Sequence, residues 1–342
     1  MKYLFFPVIA FFTLVVSCNP QNAGDKASGK NDSAAADSGN HTVATIPQTD
    51  HNKDTTSEYD HIPLVNQPNA PAHPGIAAKN RKEEMFKTIQ FKGKGAEERQ
   101  KGIKMASAGD LKGAIEMFTK SIEVHAKNPD AYFYRGKAKW DMKDYTGAEA
   151  DISKAIEIRP TQAPYWYYRG VMLMEIGKYT DAIRDFDSTI RRVPGYYDAL
   201  NYKGVALAKL GKHREAVAEY DKVIEMQPGL ALAYFNKGTS LAALSDFEGS
   251  EEQLTSAITI NPGYEQAYVN RGNARLMQNK HQQAWDDYSR ALSLNPDNMD
   301  ALYNSGFALI QLKMNDQACE NWRKATSLGH KLSKGQIEKY CK

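Results

Sequence analysis

The chain has 342 residues, of which 44 are basic and 41 acidic, and a formal net charge of +3. So small an excess over this length excludes a strongly basic nucleic-acid binder, and no nucleic-acid partner is expected. Cysteine is sparse, with Cys18, Cys319 and Cys341 the only three.

The first element is a short apolar stretch, Tyr3 to Val16, behind the single charge of Lys2 and followed by Ser17 and Cys18. One cation, a short apolar core and a small residue before a cleavage point describe a signal peptide over 1–17, too short to cross a bilayer as a helix. Val15, Val16, Ser17, Cys18 resembles the lipobox of bacterial lipoproteins, which implies diacylglycerol on the sulfur of Cys18 after cleavage. An ordinary secretory signal with an incidental cysteine is the alternative. Asn19 follows, not the aspartate that marks inner-membrane retention in the lipoprotein sorting rule. No acidic run comes next, so the resemblance implies an outer-membrane anchor on the periplasmic face.

Residues 18–78 then shift to Asn, Asp, Ser, Thr, Pro, Ala and His. Such a composition buries too little apolar surface to offset its ordering entropy, which predicts a flexible tether with an r.m.s. span of about 40 Å. Residues 79–94 are Lys-rich but carry Met85, Phe86, Ile89 and Phe91, and read as a basic linker or as a short helix on the first repeat.

From residue 95 one period governs the chain. Gly102, Gly136, Gly170, Gly204, Gly238, Gly272 and Gly306 are each 34 residues apart. A fixed period over most of a chain means one supersecondary unit copied and stacked. With each copy starting seven residues before its glycine, slot twenty holds Ala114, Ala148, Ala182, Ala216, Ser250, Ala284 and Ala318, and slot thirty-two holds proline in the five copies from Pro160 to Pro296. Apolar spacing between these markers is helical: Trp166, Gly170 and Leu173 on one face, Ala182, Phe186 and Ile190 on another, with Gly177 and Lys178 at the turn. Glycine inside a helix costs about 1 kcal/mol against alanine. Its recurrence at slot eight therefore predicts close approach of the two helices of each hairpin.

With an aromatic or leucine at slot four (Tyr132, Trp166, Leu200, Tyr234, Tyr268, Leu302) and a bulky residue at slot twenty-four (Phe118, Ile152, Phe186, Tyr220, Leu254, Tyr288, Trp322), the pattern resembles the tetratricopeptide repeat family. The resemblance covers Gly95 to about Gly329 in seven copies without gaps. It implies an all-α fold, a right-handed α-solenoid of seven helix-turn-helix units at 95–128, 129–162, 163–196, 197–230, 231–264, 265–298 and 299–330. A polar capping helix is expected over 331–342. The first copy departs with Glu98 and Ala126, as a terminal repeat facing water should.

The family also implies that slots two, five, six, nine, twelve and thirteen face a groove lined by the first helices. Slot six reads Tyr134, Tyr168, Tyr202, then Asn236, Asn270, Asn304. An asparagine row resembles the ladder in the repeat domain of O-linked N-acetylglucosamine transferase, and asparagine both donates to and accepts from a peptide bond. The tyrosines, with Phe133, Tyr167 and Trp140 beside them, have the amphipathic rings enriched at binding hot spots. Some of these rings could equally pack between copies. No three consecutive copies supply the residues of the family's carboxylate clamp for peptide tails.

A basic column at slot seven, Lys101, Arg135, Arg169, Lys203, Lys237 and Arg271, reads as intra-repeat ion pairing. Sixteen residues on lie Asp151, Asp185, Glu219 and Asp287, equidistant from the turn, whereas Lys237 meets Gln253 and Ser305 meets Asn321. Cys319 and Cys341 should sit equally far from a turn near Gly329, so a disulfide and two buried thiols are both open. No phosphate loop, Gly-x-Ser-x-Gly elbow or histidine at metal-ligand spacing occurs. No catalytic residue, metal or cofactor is expected. The reading is a non-enzymatic, lipid-anchored scaffold that binds a protein or extended peptide, in an envelope assembly or secretion complex, with a glycan- or peptidoglycan-binding lipoprotein as the alternative.

Overall fold

The computed structural model describes residues 93–341. The signal sequence, Cys18, the tether and the linker up to residue 92 lie outside the described residues. Among the described residues there are fifteen helices and no strand. The first helices of the seven repeats are α1 (Ala96–Ser107), α3 (Pro129–Asp141), α5 (Ala163–Glu175), α7 (Tyr197–Lys209), α9 (Ala231–Ala243), α11 (Glu265–Met277) and α13 (Met299–Gln311). The second helices are α2 (Leu111–Val124), α4 (Tyr145–Ile158), α6 (Tyr179–Arg192), α8 (His213–Met226), α10 (Phe247–Ile260), α12 (His281–Leu294) and α14 (Asn315–Ser327), and α15 (Ser333–Tyr340) closes the chain.

Local chemistry starts and stops these helices. Asp110, Asp144 and Asp246 cap α2, α4 and α10 by accepting from the backbone N–H three residues on, each at 2.9 Å. Asn128 and Asn298 do the same for α3 and α13. The turn inside every hairpin passes through one left-handed residue at slot fifteen. It is glycine at Gly109, Gly177 and Gly211, but Lys143, Ser245, Asn279 and Lys313 hold φ of 60° to 65° without that freedom.

Each first helix packs on its own second helix, and each second helix packs on the next first helix, which makes an α-solenoid. First helices of successive repeats also touch, as α5 with α7 and α7 with α9; no pair of second helices is in comparable contact. The first helices are therefore on the inner side of the stack. Slot eight explains itself here: a Cβ on Gly204 would come within 2.5 Å of the Tyr220 ring, and one on Gly306 within 2.2 Å of Trp322. In all seven repeats the glycine makes room for the slot-twenty-four side chain of the facing helix. The slot-twenty residues, Ser250 included, are fully buried.

The basic column does pair as expected, and it does more. Arg135 makes two hydrogen bonds to Asp151, at 2.8 and 2.7 Å, and a third to Thr119 of the preceding repeat at 3.1 Å. Arg169 repeats this with Asp185 and Ser153, and Arg271 with Asp287 and Thr255. Lys203 bridges Glu219 and Asp187, and Lys237, facing no carboxylate in its own repeat, pairs with Asp221 of the one before. The column thus ties repeats together as well as hairpins, because slot twenty-five of one repeat lies beside slot seven of the next.

At the C-terminal end Ile337 and Cys341 pack on Tyr303, Leu309 and Trp322. Cys319 and Cys341 are bonded, with Cα atoms 5.7 Å apart, so α15 is covalently held to α14.

Candidate functional site

The inner face of repeats two to four is built on a continuous run of rings. Phe118 stacks on Tyr134 at 5.9 Å, Tyr134 meets Phe133 at 5.3 Å, and Phe133 meets Tyr168 at 5.6 Å. Tyr168 continues to Tyr167 at 5.3 Å, Tyr167 to Tyr202 at 6.0 Å, and Tyr202 stacks on Phe186 at 5.8 Å. Edge-to-face and offset contacts of this kind add to burial energy and fix each ring's orientation. The slot-six tyrosines are half-buried, each presenting part of its ring and held by rings beneath it. The ammonium of Lys137 lies over the Tyr168 ring, 4.9 Å from its centre. Burial, with the nearby Asp130 carboxylate, pushes the Tyr134 hydroxyl above its ordinary pKa, so it is neutral and able to donate.

Slot five is buried at Phe133, Tyr167, Asn201, Val269 and Tyr303 and half-buried at Phe235. Phe133 is 1% exposed and Tyr167 7%, so both belong to the junction between repeats and are removed as ligand contacts. The reason is the approach of successive first helices, which wedges slot five of one against slots three and six of the next, as Phe133 against Tyr165 and Tyr168. Trp140 is half-buried, and its indole N–H donates to Glu175 Oε2 at 2.6 Å. Lys143 and Tyr145 donate to the other oxygen of Glu175, at 2.8 and 2.6 Å. Trp140 is therefore part of a bridge between repeats two and three. Glu175 was not among the residues singled out, and only its slot-thirteen position hinted at the inner face.

The asparagine row is cross-linked from repeat to repeat. Asn236 donates to Asn201 Oδ1 at 3.1 Å, Asn270 to Thr239 Oγ1 at 3.1 Å, and Asn304 to Asn273 Oδ1 at 2.9 Å. Each bond occupies one N–H of the amide and leaves its second N–H and its carbonyl oxygen for other partners. Asn236 and Asn270 are half-buried; Asn304 is only 7% exposed, so the third rung is covered and is corrected from groove contact to core. Asn201, Thr239 and Asn273, the acceptors, were missed. Their polar character at slots five and nine was the available signal.

Beneath the tyrosine end lies a charged network. Asp130 is fully buried and accepts from Arg99 at 3.3 Å, from Arg159 at 3.5 Å and from the hydroxyl of Tyr165, tying repeats one to three. A buried carboxylate of this kind is held by full pairing. Among the described residues no group of three or more His, Cys, Asp or Glu side chains is placed to hold a metal ion, and no helix is long and apolar enough to cross a membrane.

A stack of helical hairpins with an aromatic and amide-lined inner face defines a repeat protein of the α-solenoid class. Sequence models of the tetratricopeptide repeat match residues 106–163, 167–231, 204–265 and 265–298, and the chain belongs to the tetratricopeptide repeat family. Among solved structures it is similar to a tetratricopeptide repeat protein from Parabacteroides merdae, at 17% identity over 72% of this chain and 99% of that one, with a TM-score of 0.56. It is also similar to the C-terminal part of a repeat-containing protein from Cytophaga hutchinsonii, at 16% identity over 68% and 95%, with a TM-score of 0.58. The Cut9–Hcn1 hetero-tetramer of APC/C gives 13% identity over 68% and 48%, with a TM-score of 0.54. These likenesses show the fold. No curated protein matches the sequence.

Proposed function

We propose that this chain is a non-enzymatic interaction protein that holds an extended segment of a partner protein against its inner face, and that it is carried at a membrane by a lipid on Cys18. The observation that carries the first part is the ring run from Phe118 to Phe186, which presents Tyr134, Tyr168 and Tyr202 in fixed orientations. Rigid rings lose little entropy on binding, and the amide groups of Asn236 and Asn270 continue the row with both donors and acceptors. The Val15–Cys18 lipobox pattern supports the second part and an outer-membrane, periplasmic setting for an assembly or secretion complex.

Glycan binding is the weaker reading. Tyr134 and Tyr202 each give one ring face to Phe118 or Phe186 and Lys137 lies over one face of Tyr168, which leaves each ring at most one face for a sugar. Pull-down from detergent-solubilised envelopes tests the choice. A protein recovered with the full chain and lost with Y134A/Y168A/Y202A supports the groove; recovery of glycan and no protein overturns it. Cys18→Ala should abolish labelling by a fatty acid, and continued labelling removes the anchor.

A further inference from the structure

We propose that the Cys319–Cys341 bond is a redox latch on the C-terminal cap: oxidised, it holds α15 over the end of repeat seven, and reduction by a dithiol undocks α15 while the seven repeats stay folded. Position in the stack comes first. Each second helix packs on the first helix of the next repeat, but α14 has no next repeat, and α15 packs on it instead. The face beneath α15 is apolar. Trp322 and Tyr303 are buried there, Ile337 and Cys341 pack on their cluster, and the ring of Tyr340 lies 5.5 Å from that of Trp322. Undocking bares a helix seat of the kind that each internal junction of the stack buries.

Apart from the disulfide, little holds α15 in place. It has 8 residues, and isolated helices shorter than about 12 residues are marginal in water. Leu332 at its N-terminus gives no side-chain cap, and Gly335 in its middle weakens it further. Ser333 is buried and Ile337 half-buried, but Lys334, Gly335, Glu338, Lys339 and Tyr340 are exposed. The connection to α14 resists little. Gly329 turns the chain at φ 102°, and a Cβ there would meet nothing within 4 Å. The bond joins residues separated by 22 in sequence, so an undocked α15 regains little freedom while it is closed. By loop entropy this favours the docked cap on the order of 100-fold.

The bond is open to a reductant from one side. Cys341 is half-buried at the outer end, whereas Cys319 is buried. A thiolate of the dithiol attacks Sγ of Cys341, the S–S bond breaks, and its electron pair leaves on Cys319. The second thiol of the reductant then displaces Cys341. The reductant departs as a cyclic disulfide, and the protons and the electron pair it loses end on the two protein thiols.

The test is hydrogen exchange on the full chain, oxidised and after dithiothreitol, read at the α15 end, where the Cys341 N–H donates to Ile337 O at 2.9 Å. Reduction should speed exchange there on the order of 100-fold and leave α13 and α14 protected. C319S/C341S should behave as the reduced protein. Indole NMR gives a second measurement. Trp322 donates to Tyr303 O at 2.9 Å beneath the cap, so its signal should shift on reduction while those of Trp140 and Trp166, in repeats two and three, stay in place. A cap that stays protected after reduction overturns the latch, because packing alone then holds it. Loss of protection in α13 and α14 overturns it too, by making the bond a staple of repeat seven itself. A bond that dithiothreitol leaves intact in the folded chain is the third result against the proposal.

Discussion

The ring of Phe133 meets that of Tyr168 edge-on at 5.6 Å across the junction of repeats two and three. Phe133 is 1% exposed and also touches Tyr165 at 4.9 Å, so it holds the floor on which the slot-six tyrosines stand. Phe133→Ala should cost about 3–5 kcal/mol in urea unfolding. A double-mutant cycle with Tyr168→Ala should give a coupling of about 0.5–1.5 kcal/mol. Simple additivity would mean that the ring contact carries no energy of its own.

The slot-eight glycines predict a change of sign between two identical substitutions. Gly272→Ala places a Cβ 2.7 Å from the buried ring of Tyr288, and overpacking of about 1–3 kcal/mol should outweigh the gain of about 1 kcal/mol in helix propensity. Gly335→Ala in α15 meets nothing within 4 Å and should stabilise. Thermal unfolding of both variants checks this; a stabilised Gly272→Ala would contradict the close approach.

Ser250 is the slot-twenty exception, and its buried hydroxyl has no hydrogen-bond partner. Six other repeats place alanine there, fully buried. Ser250→Ala should therefore raise stability by about 1 kcal/mol, since it removes a desolvated hydroxyl without changing the backbone. A fall in the urea midpoint would show that the hydroxyl is satisfied in solution.

Glu175 predicts an acid-dependent weakness between repeats two and three. Burial acts to raise its pKa, but hydrogen bonds from Lys143, Tyr145 and Trp140 outweigh that and hold it below the ordinary glutamate value. A carboxylate lowered on folding contributes stability that is complete above its unfolded pKa of about 4.3 and is lost as pH falls through the lower folded value. Glu175→Gln should thus destabilise at pH 7 and show a smaller loss than wild type between roughly pH 5 and pH 3. Parallel pH profiles for the two proteins would rule out the bridge as their source.

The hairpin and its repetition were legible in the sequence because both depend on short-range chemistry. Glycine, alanine and proline markers, helical apolar spacing and turn residues all act within 34 residues, and seven copies averaged out their variation. The slot-seven ion pairs were legible for the same reason, being set by distance from one turn. Which inner-face residues a ligand can touch depends instead on the offset between neighbouring repeats, and no single copy encodes that offset. It buried Phe133, Tyr167 and Asn304, bound Trp140 to Glu175, gave the slot-seven cations a second partner, and tied one N–H of Asn236 and of Asn270 to the repeat before. The sequence by itself determined the repeating unit and its period, because those follow from local propensity and pattern. Only the tertiary structure decided which rings form the surface and which form its support, because that is settled by how closely the stacked helices approach.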